Sequence, residues 1–212
     1  YNVSAILSNP AVLDEVSDPS TTLLVIAGTE SPYTTLELEI IVSFMEKGGS
    51  MLVFGDFDYS NTVADLFAIE YVKHRLWDRN YKDNVSLIQT TAYLDSQSYN
   101  VLLNEPVAIK ALDTQEVNLW STGIEWTRNV FMTTSSNSWI DSNDDGAITP
   151  EDEVAPLAGF TLGMSCGLRS MGDPLGSAVF ISDSSLPINN MWDEGQNSQF
   201  LLAVSYTHLR AH

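Results

Sequence analysis

The densest set of oxygen ligands in the chain lies in residues 141–152, Asp-Ser-Asn-Asp-Asp-Gly-Ala-Ile-Thr-Pro-Glu-Asp. This stretch fits the D-x-[DN]-x-[DN]-G calcium loop from its first residue to its last. Asp141, Asn143 and Asp145 would place side-chain oxygens on one side of a tight turn, and Gly146 permits the bend. The carbonyl of Ala147 adds an oxygen, Thr149 ligates directly or through water, and Asp152 closes the sphere where an EF-hand carries Glu. Asp is the shorter acid and favours ligation through one oxygen. Weak Ca2+ binding is therefore expected, with a Kd of roughly 10⁻⁴ to 10⁻³ M, as in extracellular modules. Ile148 is expected to anchor the loop to the core. Residues 133–139 do not read as a helix and Pro150 interrupts the exit, so the loop predicts a structural staple, not a helix-loop-helix sensor. The plain alternative is an acidic surface turn.

Other residues could do chemistry through their position. Asp56, Asp58 and Asp183 each follow an apolar run that reads as a strand, and ligands of open α/β sheets bind beyond the carboxyl ends of strands. The three could converge on a cation or polar ligand; equally they could be turn or helix caps beside Ser60, Asn61, Ser184 and Ser185. Cys166 in Gly-Met-Ser-Cys-Gly faintly resembles the nucleophile elbow of amidotransferases. The residues after it include Gly167, Gly172, Pro174 and Gly176 in place of a helical stripe, and no His-x-Glu follows, so a small apolar core thiol is the stronger reading. Residues 73–82 gather Lys73, His74, Arg75, Arg79 and Lys82 with Trp77 and Tyr81. Such an island in an acidic chain could dock an anionic partner or glycan, with the two rings as stacking surfaces. A solvated loop balancing nearby carboxylates is the alternative.

Elements must position these groups. Leu23 to Ala27 is a β-branched apolar run closed by Gly28 and predicts a buried strand. Thr34 and Glu37 stand at capping-box spacing, followed by Leu36, Ile40, Phe44 and Met45 at helical intervals and stopped by Gly48 and Gly49. Met51 to Phe54 predicts a second strand, and Val63, Ala64, Leu66 and Phe67 the stripe of a second helix. Strand, helix, strand and helix with short loops imply parallel pairing through right-handed crossovers. Short β-like runs follow, including residues 117–120 and 130–133. Ala178 to Asp183 predicts a further strand, and residues 200–204 a closing helix. The pattern gives an α/β three-layer sandwich with a mostly parallel sheet and a β-rich insertion at 85–155 that carries the calcium loop.

Composition narrows the function classes. The chain has 212 residues, 28 Asp and Glu against 9 Lys and Arg, and a formal net charge of −19. That balance argues against a nucleic-acid backbone or an anionic lipid surface as partner. No apolar run approaches the ~20 residues that span a bilayer. One cysteine excludes an internal disulfide, a CxxC pair and a zinc cluster. Hydrophobic residues at 44% suffice for a buried core in one domain.

The segments 23–28, 34–49 (ending Glu-Lys-Gly-Gly) and 51–56, with 137–141 and 179–185, together resemble a prokaryotic family of domains of unknown function. That family is related to class I glutamine-amidotransferase-like domains and to the soluble domains of gliding-type ABC-transporter components. The resemblance covers residues 1–204. It implies a flavodoxin-like sheet without amidotransferase catalytic residues, lacking a first strand upstream of Tyr1, on proteins that often carry a leader and a membrane anchor. The final residues, 205–212, resemble adapter read-through and are expected to be a non-native tail, which leaves His74 as the remaining histidine. The expectation is a non-catalytic, calcium-stabilised binding or scaffold domain of a surface or secreted protein, with a protein or glycan partner. The alternatives are a hydrolase using a metal at Asp56, Asp58 and Asp183, and an accessory domain of an ABC-type transport system.

Overall fold

The computed structural model describes residues 10–56, 58–115 and 118–209, without the side chains of residues 58, 189 and 207–209. The predicted early elements form, but β1 is an edge strand in which only Ile26 is buried, not the buried strand expected, because β2 covers just one of its edges and Val25 faces solvent. Strand β1 (Leu23–Ala27) leads to helix α1 (Thr35–Glu46), whose N-terminus carries the full capping box between Thr34 and Glu37. Strand β2 (Ser50–Phe54) follows, buried at every position. It runs parallel to β1 and to β11 (Asp173–Ile181), with Val53 opposite both Ile26 and Phe180. Alternation along β2 explains its complete burial: Met51 and Val53 enter the core beneath α1, while Leu52 and Phe54 enter a second core.

Beyond this trio the sheet is not the expected mostly parallel, flavodoxin-like one. The structure is an 11-stranded mixed sheet, and every strand pairing outside β1, β2 and β11 is antiparallel. The strands are β3 (Ile69–Asp78), β4 (Leu87–Leu94), β5 (Gln97–Asn104), β6 (Val107–Ala111), β7 (Ile124–Thr133), β8 (Ser138–Asp141), β9 (Glu153–Val154) and β10 (Thr161–Ser170). What reads as an insertion at 85–155 is continuous with the main sheet, since β6 and β7 pair with β10, and β3 joins β6 to β8. The second helix shrinks to one turn, α2 (Asn61–Ala64), between two 3-10 turns. Val63, Leu66 and Phe67 are buried as expected of its stripe.

Hairpin geometry drives the antiparallel outcome. Asp95 and Ser96, both at positive φ, join β4 to β5 in a two-residue turn, and Met171 with Gly172 joins β10 to β11 in the same way. Two-residue turns of this hand match the twist of antiparallel strands. The β4–β5 hairpin and helix α4 (Asn197–Leu209) cover the second core, where Phe200, Leu201 and Val204 meet Ile88, Val101 and Leu103. Helix α4 continues through residues 205–209, and residues 210–212 lie outside the described part. The short helix α3 (Asn189–Trp192) precedes it.

Candidate ligand cleft and calcium loop

The level ends of the three parallel strands create a cleft. Ala27, Phe54 and Ile181 are register partners, so the chain leaves all three strands at one height. Beyond them lies a cavity of about 500 Å3 lined by Gly28, Thr29, Asp56, Asp183, Arg75 and Glu105, among others. Two of the three predicted strand-end acids meet here. Asp58 opens the 3-10 turn Asp58–Ser60, and its side chain lies outside the described residues.

Both acids are held by neighbouring hydroxyls and amides. The Ser184 hydroxyl donates to Asp56 Oδ2 at 2.5 Å. Asp183, only 1% exposed, accepts from the Ser185 amide and hydroxyl at 2.7 and 2.6 Å and from the Asn104 amide at 2.7 Å. Burial pushes the Asp183 carboxyl up to about 6, helped by the charge of Asp56 and opposed by those hydrogen bonds. The expected capping role is thus also present: Asp183 and Ser185 make an Asx-type turn at the end of β11.

Sequence reasoning missed Thr29 and Glu105 in the lining and named Arg75 only as part of the basic island at 73–82, apart from the strand-end acids. Arg75 reaches the cleft from β3, and Glu105 from the turn between β5 and β6, where it is held at φ +51 immediately before Pro106. The Thr29 hydroxyl is buried without a hydrogen-bond partner among the described residues. Thr29 was within reach of the strand-end rule that selected Asp56 and Asp183, because it follows β1 as they follow β2 and β11. Arg75 and Glu105 carry no such local signal.

The basic island is divided by strand geometry. Lys73, His74, Arg75 and Trp77 lie on β3, where successive side chains point to opposite faces. Lys73 is exposed, His74 half-buried, and Arg75 lines the cleft. Trp77 donates its Nε1–H to Asp141 Oδ2 at 2.9 Å. Arg79 and Tyr81 are exposed in the turn that follows, and Lys82 pairs with Glu194 at 2.6 Å.

The 141–152 loop folds around three carboxylates, those of Asp141, Asp145 and Asp152. Asp141, fully buried at the end of β8, accepts from the Asp145 amide at 3.2 Å and the Gly146 amide at 2.8 Å as well as from Trp77. Gly146 is at φ +73, the bend assigned to it. Asp145 accepts from the Ala147 amide at 2.8 Å and from Asn143 Nδ2 at 3.0 Å. Asp152 ties the ends of the loop together, accepting from Ser142 at 2.8 Å and from the Thr149 amide and hydroxyl at 2.7 and 2.9 Å. The amides of Thr149 and then Ser142 hold the Asp152 carboxyl below its usual range. Ile148 does not anchor the loop: it is 46% exposed, because Trp77 and Asp141 supply the inward contact. Among the described residues no three acidic, histidine or cysteine side chains stand close enough together to hold a metal ion.

Cys166 sits in the middle of β10, buried, and not on a strand-to-helix turn. Burial pushes its thiol up to about 12, against the pull of Arg128. No helix among the described residues is long and apolar enough to cross a membrane.

Fold and cleft together define a single mixed α/β sheet domain with a strand-end cavity. The profile of a domain of unknown function, DUF4350, matches residues 1–204, and the chain belongs to that family. Among solved structures the chain is similar to the mmIFT52 N-terminal domain, at 12% identity and a TM-score of 0.62, over 97% of this chain and 82% of that one. A weaker likeness, at 15% identity and a TM-score of 0.42, is to the exo-beta-1,4-mannosidase Op5Man5 from Opitutaceae bacterium strain TAV5, over 89% of this chain and 25% of that one. No curated protein matches the sequence.

Proposed function

We propose that the protein is a calcium-stabilised binding domain of a surface or secreted protein, and that its ligand seat is the strand-end cleft. The observation that carries this reading is the cavity of about 500 Å3, a volume typical of ligand sites, whose lining includes the unpartnered Thr29 hydroxyl and the Arg75 and Glu105 side chains, which belong to neither ion pair among the described residues. The partner is a protein or glycan that presents a polar group to the cleft. A catalytic role is less well supported, because the oxygens of Asp183 are already committed to Asn104 and Ser185. The buried, mid-strand position of Cys166 likewise argues against a role as an amidotransferase-type nucleophile. An acidic surface at a net charge of −19 suits a salty exterior, where hydrated carboxylates maintain solubility.

Calcium fits the loop by donor chemistry, since Asp141, Asn143, Asp145, Thr149, Asp152 and the Ala147 carbonyl offer oxygens only. The ion would screen the three loop carboxylates from one another and hold the loop against Trp77. The test is a titration of the isotope-labelled full chain, first with calcium chloride and then with neutral saccharides and short peptides, read by amide chemical shifts. Calcium is expected to move Asp141 to Asp152, and a ligand to move Thr29, Asn104, Glu105 and Ser184. Saturating additions that leave the cleft amides unmoved would overturn the binding reading; a silent loop would overturn the calcium one.

A further inference from the structure

The cleft contains two opposite charges that the fold does not use against each other. The ion pairs among the described residues are Lys82–Glu194 and Lys110–Glu153, so Arg75 and Glu105 belong to neither. Yet both line the cleft. They stand at its wall as an unpaired cation and anion more than 4 Å apart. Glu105 is held there at φ +51 before a proline, a conformation disfavoured for a residue with a side chain. Strain that presents a free carboxylate to a cavity points to recognition.

The chemistry of the lining narrows the ligand. A phosphate would meet Asp56, Asp183 and Glu105, three carboxylates against the one Arg75 guanidinium. A divalent cation would face the Arg75 guanidinium. A neutral polyol would cover both free charges and give neither a counter-charge, which costs desolvation without return. A ligand bearing one cationic and one anionic group on a short frame satisfies both.

We propose that the cleft takes a free α-amino acid in its zwitterionic form, its carboxylate on Arg75 and its ammonium on Glu105, with the Thr29 hydroxyl as a further polar contact. Arg suits the first task because its planar fork matches a carboxylate. Peptide termini fit less well, since each carries only one of the two charges beside its α-carbon. The inference rests on the cleft being a ligand seat, and it assigns that seat to a small zwitterion in place of the protein or glycan of the broader reading.

The test is calorimetry on the full chain with L-serine, L-leucine, L-glutamate and L-lysine, each also as its N-acetyl and carboxamide derivative. At least one unmodified amino acid is expected to bind, and either blocking group to weaken it by about tenfold to a hundredfold, the cost of one charge-assisted contact. Arg75→Gln should weaken the parent ligand by a similar factor and leave the carboxamide unaffected; Glu105→Gln should do the same for the N-acetyl form. Thermal melts of both variants establish that they fold. Blocked derivatives that bind as well as the amino acids, or no amino acid bound at millimolar concentration, would overturn the proposal. In the second case, saccharide-induced shifts at Asn104 and Ser184 would leave the cleft standing as a seat for another ligand; without them both readings fail.

Discussion

Asp141→Ala tests whether the loop is clipped to the sheet by a carboxylate before any ion is considered. Asp141 is fully buried and receives the Trp77 indole at 2.9 Å, the Gly146 amide at 2.8 Å and the Asp145 amide at 3.2 Å. The two amides belong to exposed residues and can turn to water, whereas the indole of half-buried Trp77 is harder to satisfy. Losing a charged acceptor costs about 1.5–3 kcal/mol per bond, so the indole with partial loss at the amides gives about 3 kcal/mol. In a chain of this length that is a fall in Tm of about 6–12 °C. Asp141→Asn keeps one acceptor oxygen and should lose about half as much. Urea and thermal unfolding followed by circular dichroism in chelator measure both. At 10 mM calcium and a Kd of roughly 10⁻⁴ to 10⁻³ M, the parent should gain about 1.4–2.7 kcal/mol and Asp141→Ala nothing. A variant within about 0.5 kcal/mol of the parent in chelator would refute the clip, and an undiminished calcium shift in the variant would refute the ligand assignment.

Asp183 gives a pH signature. Its carboxyl lies near 6 in the fold against 3.8 as the ordinary value, so between those limits the folded state holds more protons than the unfolded one. The contribution of this group is therefore most favourable at low pH and is lost as pH rises through about 6, by about 3 kcal/mol in all. Subtracting the stability curve of Asp183→Asn from that of the parent between pH 4 and 7 should isolate the slope; parallel curves would refute it. Gly176 packs against the end of α1 and the turn after it so closely that a Cβ would lie 2.7 Å from the Met45 carbonyl oxygen and 2.0 Å from that of Gly49, while at Gly167 the nearest atom is 3.7 Å away. Gly176→Ala should lose about 3 kcal/mol or more and Gly167→Ala less than about 1 kcal/mol in urea unfolding. Cys166, buried and with its thiol near 12, should resist a thiol reagent at pH 8 in the native protein and react at once in urea.

How much of this was legible in the sequence follows from the range of each signal. The β1 run, the capping box of α1, the β2 run and the 178–181 part of β11 are local patterns, and all appear where the residues place them. Strand β3 was not legible, because its exposed positions carry Glu70, Lys73 and Arg75 without a regular alternation, and a charged run between Ile69 and Trp77 reads as a solvated loop. Nor could a parallel sheet be distinguished from a mixed one: the choice was made by two-residue turns at Asp95–Ser96 and Met171–Gly172, neither of which has the Asn-Gly or Asp-Gly signature of such turns. Met171 at φ +51 accepts a conformation that favours glycine. In the same way the strand-end rule found Asp56 and Asp183 because it depends only on where strands stop. Arg75 and Glu105 reach the cleft through long-range pairing, which no window of sequence contains.

The mixed sheet is also what gives the cleft its two charges. A wholly parallel sheet would line its carboxyl ends with loop residues alone, here Thr29, Asp56 and Asp183, an acidic set with no cation. The antiparallel half contributes what that set lacks. Strand β3 passes the cleft in mid-strand and projects Arg75 into it, held in register between Val107 on one side and Asp141 on the other. The β5–β6 turn closes the opposite wall with Glu105, fixed by its amide bond to the Ser86 carbonyl at 2.7 Å and by Asn104 on Asp183. The backbone of Arg75 is therefore set by a ladder and that of Glu105 by a turn, so the two exposed side chains start from fixed positions on either wall, and a ligand that bridges them has only their side-chain torsions to order. The same ladder places Asp141, the first residue of the 141–152 loop, on the rung beside Arg75, so the loop buttresses the strand that delivers the cleft's cation.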